Sequence, residues 1–300
     1  MANTLNPGVN NTMQYAQKYL PLLDEVYKRA SLTAIMDTMT DKVDWTGAKT
    51  VNIFAIDVDG LGNYDRNNGF VPGSADGTWE PYEIEIDRGR RFVIDRMDND
   101  STVDMAFAST LNEFERVQVI PEIDAYRFSK WSANAGNDVT ATLGSGTSVV
   151  DLIQEAEAVM DDAEVPYEGR ILYVSPTAYK QFKGEIVRYT ENGDPDVNGN
   201  IEMYDDMRVI RVPKARFNTQ ITLENPTDAT QMGGYTASGS DIHFLIAHPS
   251  AILQVVKHRI PRVFSPDVFQ DADGWALDYR IYHDTFVKAK KVNGIYVCHA

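Results

Sequence analysis

Val119–Gly136 reads VIPEIDAYRFSKWSANAG. Ile123, Tyr126 and Lys130 fall at helical spacing and extend the stripe Phe107, Leu111, Phe114 that precedes them. Pro121 interrupts that pattern. A proline removes one backbone donor and disfavours helix at the residue before it. The spacing therefore predicts one long kinked helix or two abutting ones, capped near Asn99, Asp100 or Ser101 and ended at Gly136.

On the C-terminal side an α/β region follows. SVVDLIQEAEAVMDDAEV is a second helix, with Val149, Ile153 and Met160 on its apolar side and Ser148 with Asp151 as a capping pair. GRILYVSPTAYKQFKG reads as a strand, then a Ser175 cap, then a short helix opened by Pro176. MRVIRVPK, IHFLIA and ILQVVKHRIPRVFS are strand-like, and the chain ends in two strands about the turn Asn293-Gly294.

On the N-terminal side, KTVNIFAI and WEPYEIEID are strands. The second alternates Tyr82, Ile84 and Ile86 against Glu83 and Glu85. The Gly-, Asn-, Asp- and Pro-rich stretch between them is turn chemistry, so the region reads as a long hairpin with a large irregular tip. A two-stranded hairpin is marginal alone and must pack on something. Residues 1–44 are partly helical, with Leu22, Leu23, Val26 and Ala30 at helical spacing. Neither segment has a core of its own, which points to a subunit that finishes its packing on neighbours. The fold class is α+β.

The 300 residues are 43% hydrophobic and 24% charged, enough for one large core or two smaller ones. A net charge of −16 leaves no broad basic footprint for nucleic acid. Cys298 is the only cysteine, so no intrachain disulfide forms; it reads as a small buried hydrophobe. MANTLNPGVNN lacks the basic region and apolar run of a secretion signal. The longest apolar stretch, HFLIAHPSAILQVV, is broken by His248, Pro249 and Ser250 and falls short of the roughly 20 residues that span a bilayer. A soluble chain made in a cytoplasm, with no membrane partner, is expected.

Signals for catalysis are weak. GSGTS lacks the lysine of a phosphate loop, DGLGN is no dinucleotide fingerprint, and the five histidines show no paired metal spacing. No enzyme and no cofactor is expected. The metal candidate is DPDVNGNIEMYD, Asp194 to Asp205. Asp194, Asp196 and Asn198 match the first oxygen ligands of a calcium loop, Gly199 its sharp turn and Ile201 its apolar eighth place. Against this, the twelfth place is Asp205, Pro195 is awkward, and the outgoing MYDDMRVIRVP is strand-like where a calcium loop needs a helix. A polar loop entering a strand is the competing reading.

Five strings, VIPEIDAYRFSKWSANAG, RILYVSPTAYKQF, MRVIRVPKARF, FLIAHPSAILQVVKHRIPRVFSPD and LDYRIYHDTFVKAKKVNGIYV, occur in an order that resembles the major capsid proteins of tailed double-stranded-DNA bacteriophages. The resemblance implies an N-terminal arm over 1–44 and an extended β-hairpin loop over 45–98. It implies a peripheral domain with a long spine helix over 99–146 and 251–288, and an α/β axial domain over 147–250 and 289–300. It implies a virion protein made in the bacterial host cytoplasm, which self-assembles into homo-pentamers and homo-hexamers of an icosahedral shell. That shell encloses packaged dsDNA without sequence-specific binding. A short arm implies a separate scaffolding protein, and such shells carry a portal. Residues 50–129, between Lys49 and Lys130, contain no lysine, so the hairpin tip has no amine for the covalent cross-links of some members; non-covalent shells are expected.

With that reading, Ile53, Trp79, Tyr82 and Ile84 become candidate inter-subunit contacts, alongside their plainer role as a self-contained sheet face. Arg88, Arg90 and Arg91 are candidates to pair with a neighbour's carboxylates, or a solvated strand end. Pro121 is a candidate hinge of the spine helix, or a fixed kink. Two other readings remain open. One is an encapsulin, a nanocompartment shell of the same fold; the other is a calcium-dependent binding module resting on the Asp194 loop alone.

Overall fold

The structure is a computed structural model and describes residues 30–39, 44–45, 49–67, 69–97, 111–144, 146–186, 200–227, 230–259 and 261–300. Its largest sheet has six strands: β5 (Asn137–Thr140), β6 (Ile171–Val174), β7 (Met203–Tyr204), β8 (Met207–Arg211), β11 (Ile242–Ala247) and β15 (Ile295–His299). They lie in the order β5-β15-β11-β6-β8-β7, with β6/β8 and β15/β5 parallel and the other pairs antiparallel.

Every side chain of β6 is buried, because both faces of the sheet are covered. Leu172 and Val174 pack with α2 (Val149–Asp162) and α3 (Pro176–Glu185) through Ile153, Met160 and Phe182. Ile171 and Tyr173, one residue out of phase, pack with Phe128 and Trp131 of α1 (Ile120–Ala133) on the other face. The helix starts follow the expected chemistry. Ser148 Oγ accepts from Asp151 N at 3.0 Å, and Ser175 Oγ accepts from Ala178 N at 3.2 Å, with Pro176 in the first turn. Cys298, on β15, is buried, and burial pushes its thiol up to about 11.

The second sheet is built on the long β14 (Gly274–Val287). β4 (Ile86–Asp95) pairs along one side of it; β12 (Ile252–Arg259) and β13 (Arg262–Phe264) pair along the other. The span 45–98 was expected to be one hairpin, but its last strand belongs here. The hairpin proper is β2 (Thr50–Val58) with β3 (Ala75–Glu83), edged by β1 (Asp44–Trp45). The alternation of Ile84 and Ile86 hides the change of sheet, which happens at Ile84–Glu85. Likewise β5, in the stretch expected to join the spine helix's domain, pairs with β15 of the six-stranded sheet. A short ribbon of β9 (Ile221–Glu224) and β10 (Gly234–Ala237) completes the strands described here.

Residues 111–133 form one continuous helix, of which α1 is the second part. A π turn over Glu115–Val119 precedes α1, and Ile120 donates to Glu115 O, five residues back. Pro121 follows at once, so the wide turn and the missing donor share one place. The helix stops where Gly136 donates to Val292 O at 2.9 Å; a Cβ there would sit 2.7 Å from Asn293 N.

Candidate assembly surface

The hairpin has two unlike faces. Val51 lies opposite Tyr82 in the register, and Phe54 opposite Trp79. Val51, with Ile53 partly buried beside it, packs onto Leu253 and Val255 of β12. Phe54, Ile56, Val58 and Trp79 are exposed, Val58 to 73%. The Phe54 and Trp79 rings touch at a 50° tilt, with centroids 4.9 Å apart. Leu61, Tyr64, Phe70 and Val71 extend the apolar surface over the tip, so most large exposed hydrophobics among the described residues fall between Phe54 and Trp79. Contiguous exposed apolar surface of this kind marks an interaction site.

Of the apolar contact candidates, only Trp79 faces outward in this way. Ile84 is 2% exposed and buried by the chain's own Val51, Leu253 and Val255, so it offers no surface to a neighbour. Tyr82 packs its ring on Phe286 at 5.1 Å and its hydroxyl donates to Glu80 at 2.9 Å.

The base of the hairpin is held firmly. Ile84 N donates to Lys49 O (2.9 Å), Tyr282 OH donates to Ile84 O (2.9 Å), and Glu85 N donates to Asp284 Oδ2 (3.0 Å). Asp284 also accepts from Tyr126 OH on α1 at 2.8 Å, tying helix, sheet and hairpin at one buried carboxylate. Burial pushes the Tyr126 hydroxyl well up, and the Asp284 charge adds to it. Farther out, Lys290 Nζ donates to Ile56 O at 2.9 Å and contacts Asp57.

The three arginines lie on β4, where strand alternation splits them between the two faces of the sheet. Arg88 pairs with Glu122 of α1 at 2.5 Å and donates to Glu224 O at 2.9 Å. Burial raises the Glu122 carboxyl, with Arg88 opposing. Arg90 donates to Gln231 O at 3.0 Å. On the other face Arg91 grips Asp278 with two bonds, 2.5 and 2.7 Å, which hold that carboxyl below its usual range. Within the chain Arg88 and Arg91 thus have carboxylate partners of their own, Glu122 and Asp278, while Arg90 reaches a backbone carbonyl.

Beside the π turn lies a cavity of about 310 Å³, lined by Phe114, Gln118 and Glu122 of the helix, Arg88 and Arg90 of β4, and His283 of β14. Burial pushes His283 down to about 4, with Arg127 and Arg88 adding, so its ring is neutral at pH 7. Among the described residues its Nδ1 has no hydrogen-bond partner.

Asp194, Asp196 and Asn198 lie outside the described residues. The flank that follows them is described. Ile201 is buried in the α2/α3 core and donates its N–H to Tyr179 OH at 2.9 Å. Asp205 and Asp206 turn the chain at φ 45° and 61° between β7 and β8, so a β-ribbon stands where a calcium loop would start its second helix. Among the described residues no group of three His, Cys, Asp or Glu is placed to hold a metal ion, and no helix is long and apolar enough to cross a membrane.

One cluster escaped the sequence reading. Asp124, fully buried on α1, accepts from Ser31 Oγ (2.8 Å), Thr33 Oγ1 (2.7 Å), Leu32 N (3.0 Å), Thr33 N (3.4 Å) and Arg216 (3.0 Å). The signal was present: Asp124, Arg127, Phe128 and Trp131 fall on one helical stripe, putting two charges on a core face.

No protein-family model matches the sequence, and no curated protein matches it. Solved structures do match in fold. A chain in the capsid structure of the cyanophage P-SCSP1u aligns with TM-score 0.69 and 12% identity, over 100% of this chain and 96% of that one. A chain in the asymmetric unit of the bacteriophage PhiM1 mature capsid gives 0.67 and 12%, over 100% and 96%. A chain from Mycobacterium phage Che8 gives 0.62 and 15%, over 97% and 98%. The chain therefore has an α+β fold shared along its whole length with chains of phage capsids.

Proposed function

We propose that this chain is a structural shell subunit, the major capsid protein of a tailed double-stranded-DNA phage. The observation that carries the proposal is the hairpin: anchored at its base on this chain's sheet, apolar on its outward face, with no cover for Phe54, Ile56, Val58 and Trp79 among the described residues. Such a face is built to be covered by another copy. The capsid chains that share the fold support the same reading. Copies join as pentamers and hexamers of an icosahedral shell in the virion. Each contact can be weak because many act together. The second sheet with α1 is the peripheral unit, and the six-stranded sheet with α2 and α3 is the axial unit around which copies meet. A separate scaffolding protein and a portal are the expected helpers, and the genome is enclosed without sequence-specific contacts.

Electron microscopy of the expressed protein tests this. Shells, tubes or rings of five and six are expected, and persistent monomers would overturn it. Particles boiled and reduced in denaturant should run as single chains, since residues 50–129 carry no lysine for a cross-link. Pro121 beside the π turn is the proposed hinge of the spine helix. Pro121→Ala particles that assemble and expand normally would remove the hinge.

A further inference from the structure

Four of the five donors to the buried Asp124 carboxylate come from one short segment: Ser31 Oγ, Thr33 Oγ1 and the amides of Leu32 and Thr33. The fifth, Arg216, lies in the short helical turn Lys214–Arg216 between β8 and β9. Arg127 of α1 donates to Thr33 Oγ1 at 2.9 Å and pairs with Asp37 at 3.3 Å. Gln254 of β12 reaches Thr33 O at 3.4 Å. Beneath the segment Met36, 1% exposed, packs in the same cluster as Phe128, Trp131 and Phe217. Residues 31–37 thus form a strap. Its seat is assembled from separate elements: α1, the Arg216 turn, β12, and β6, whose Tyr173 hydroxyl donates to Leu32 O at 3.5 Å.

Strap and seat each need the other. A buried carboxylate or guanidinium stripped of partners is costly. With the strap lifted, Arg216 alone remains of Asp124's five donors, and Arg127 loses both Thr33 and Asp37. The strap itself has a single short 3-10 helix, Ala34–Met39, and rests on side chains of the body for its shape.

We propose that the strap is a conformational latch: docked, it locks the spine helix to the Arg216 turn through Asp124, and undocked it frees both. The seat's ligand is this chain's own Ser31-Leu32-Thr33. A pull on the chain before residue 30 is therefore transmitted through Asp124 to the turn that leads from the six-stranded sheet into β9. The proposal rests on the Asp124 geometry and stands apart from the shell reading. Coupling of this kind is reciprocal, so weakening Arg216 must loosen the strap by the factor that weakening the strap loosens the Arg216 turn.

Hydrogen exchange on the full chain, read peptide by peptide, tests it. Thr33→Val keeps the side-chain volume and removes both the bond to Asp124 and the acceptor for Arg127. Exchange should rise about ten-fold, the effect of losing one bond to a charged group, at Met36, whose amide bonds Thr33 O. It should rise similarly at Phe217 and Ile242, whose amides bond Lys214 O and Phe217 O, with α2 and α3 unchanged. Arg216→Lys should speed the strap in return, and the double variant should fall short of the sum of the two. Lys214→Ala, which breaks only the exposed pair with Asp241 at 2.7 Å, should leave the strap alone. Should Thr33→Val fail to fold, Ser31→Ala removes a single half-buried donor and should show the same pattern at smaller amplitude. Faster exchange confined to residues 31–37, or additive effects of the two seat variants, would overturn the latch.

Discussion

β6 and β2 are both short runs rich in apolar residues, and they meet opposite fates. Each residue of β6 finds cover within the chain, from α2 and α3 on one side and α1 on the other. β2 begins the same way at Val51 and then finds no cover among the described residues: its burial declines from the buried Val51 to the exposed Val58. β2 differs from β6 in carrying Thr50, Asn52 and Asp57, yet its apolar Phe54, Ile56 and Val58 are exposed as well, because one face lacks cover among the described residues. A strand whose cover is missing reports on a partner, while a strand whose cover is complete reports on the fold.

The comparison breaks if the body proves tolerant or the hairpin proves structural. Trp131 is fully buried and donates Nε1–H to Thr285 Oγ1 at 2.9 Å. Trp131→Ala should cost about 3–5 kcal/mol in chemical denaturation. A loss below ~1 kcal/mol would mean that the stability resides elsewhere.

His283 gives the body a pH signature. Its folded-state value, about 4, lies below the unfolded 6.5, so the unfolded chain binds the proton more readily. Its contribution is complete above pH 6.5 and is lost as pH falls towards 4, on the order of 3 kcal/mol across the window. His283→Leu should flatten that stretch of the stability profile; an unchanged slope would show that other groups set it.

At the hairpin base, Asp284→Ala leaves Tyr126 OH and Glu85 N without their buried acceptor. A cost of about 2 kcal/mol is expected, with faster exchange at Ile84 and Glu85. Unaltered protection there would show that Tyr282 and Lys49 suffice.

On the outer face, Phe54→Ser with Trp79→Ser should move stability by only ~0.5 kcal/mol. The same pair should abolish particles in size-exclusion chromatography. Normal assembly would sharpen the comparison against us, by showing that the uncovered face has no partner.

Much of the body was legible because its rules are local. The caps Ser148 and Ser175 and the strand after Arg170 follow from neighbours in sequence. What escaped depends on distant partners. Past Glu83 the Ile84 amide still bonds Lys49 O, but the Glu85 amide is claimed by Asp284, 199 positions away. That Arg88 and Arg91 pair with Glu122 and Asp278 is hidden in the sequence because those carboxylates are far along the chain. Asp124 looked like an ordinary polar residue on a helix until the strap and Arg216 closed over it.

Cys298 has a practical consequence. A single thiol, buried in the middle of a covered sheet and pushed up to about 11, stays protonated and shielded at neutral pH. Any cysteine placed on the surface therefore carries a reactive thiol with no competition from a native one. A pair of such cysteines, one at Phe70 and one on a suspected neighbouring surface, would convert subunit contacts into a disulfide map with no background from the native chain.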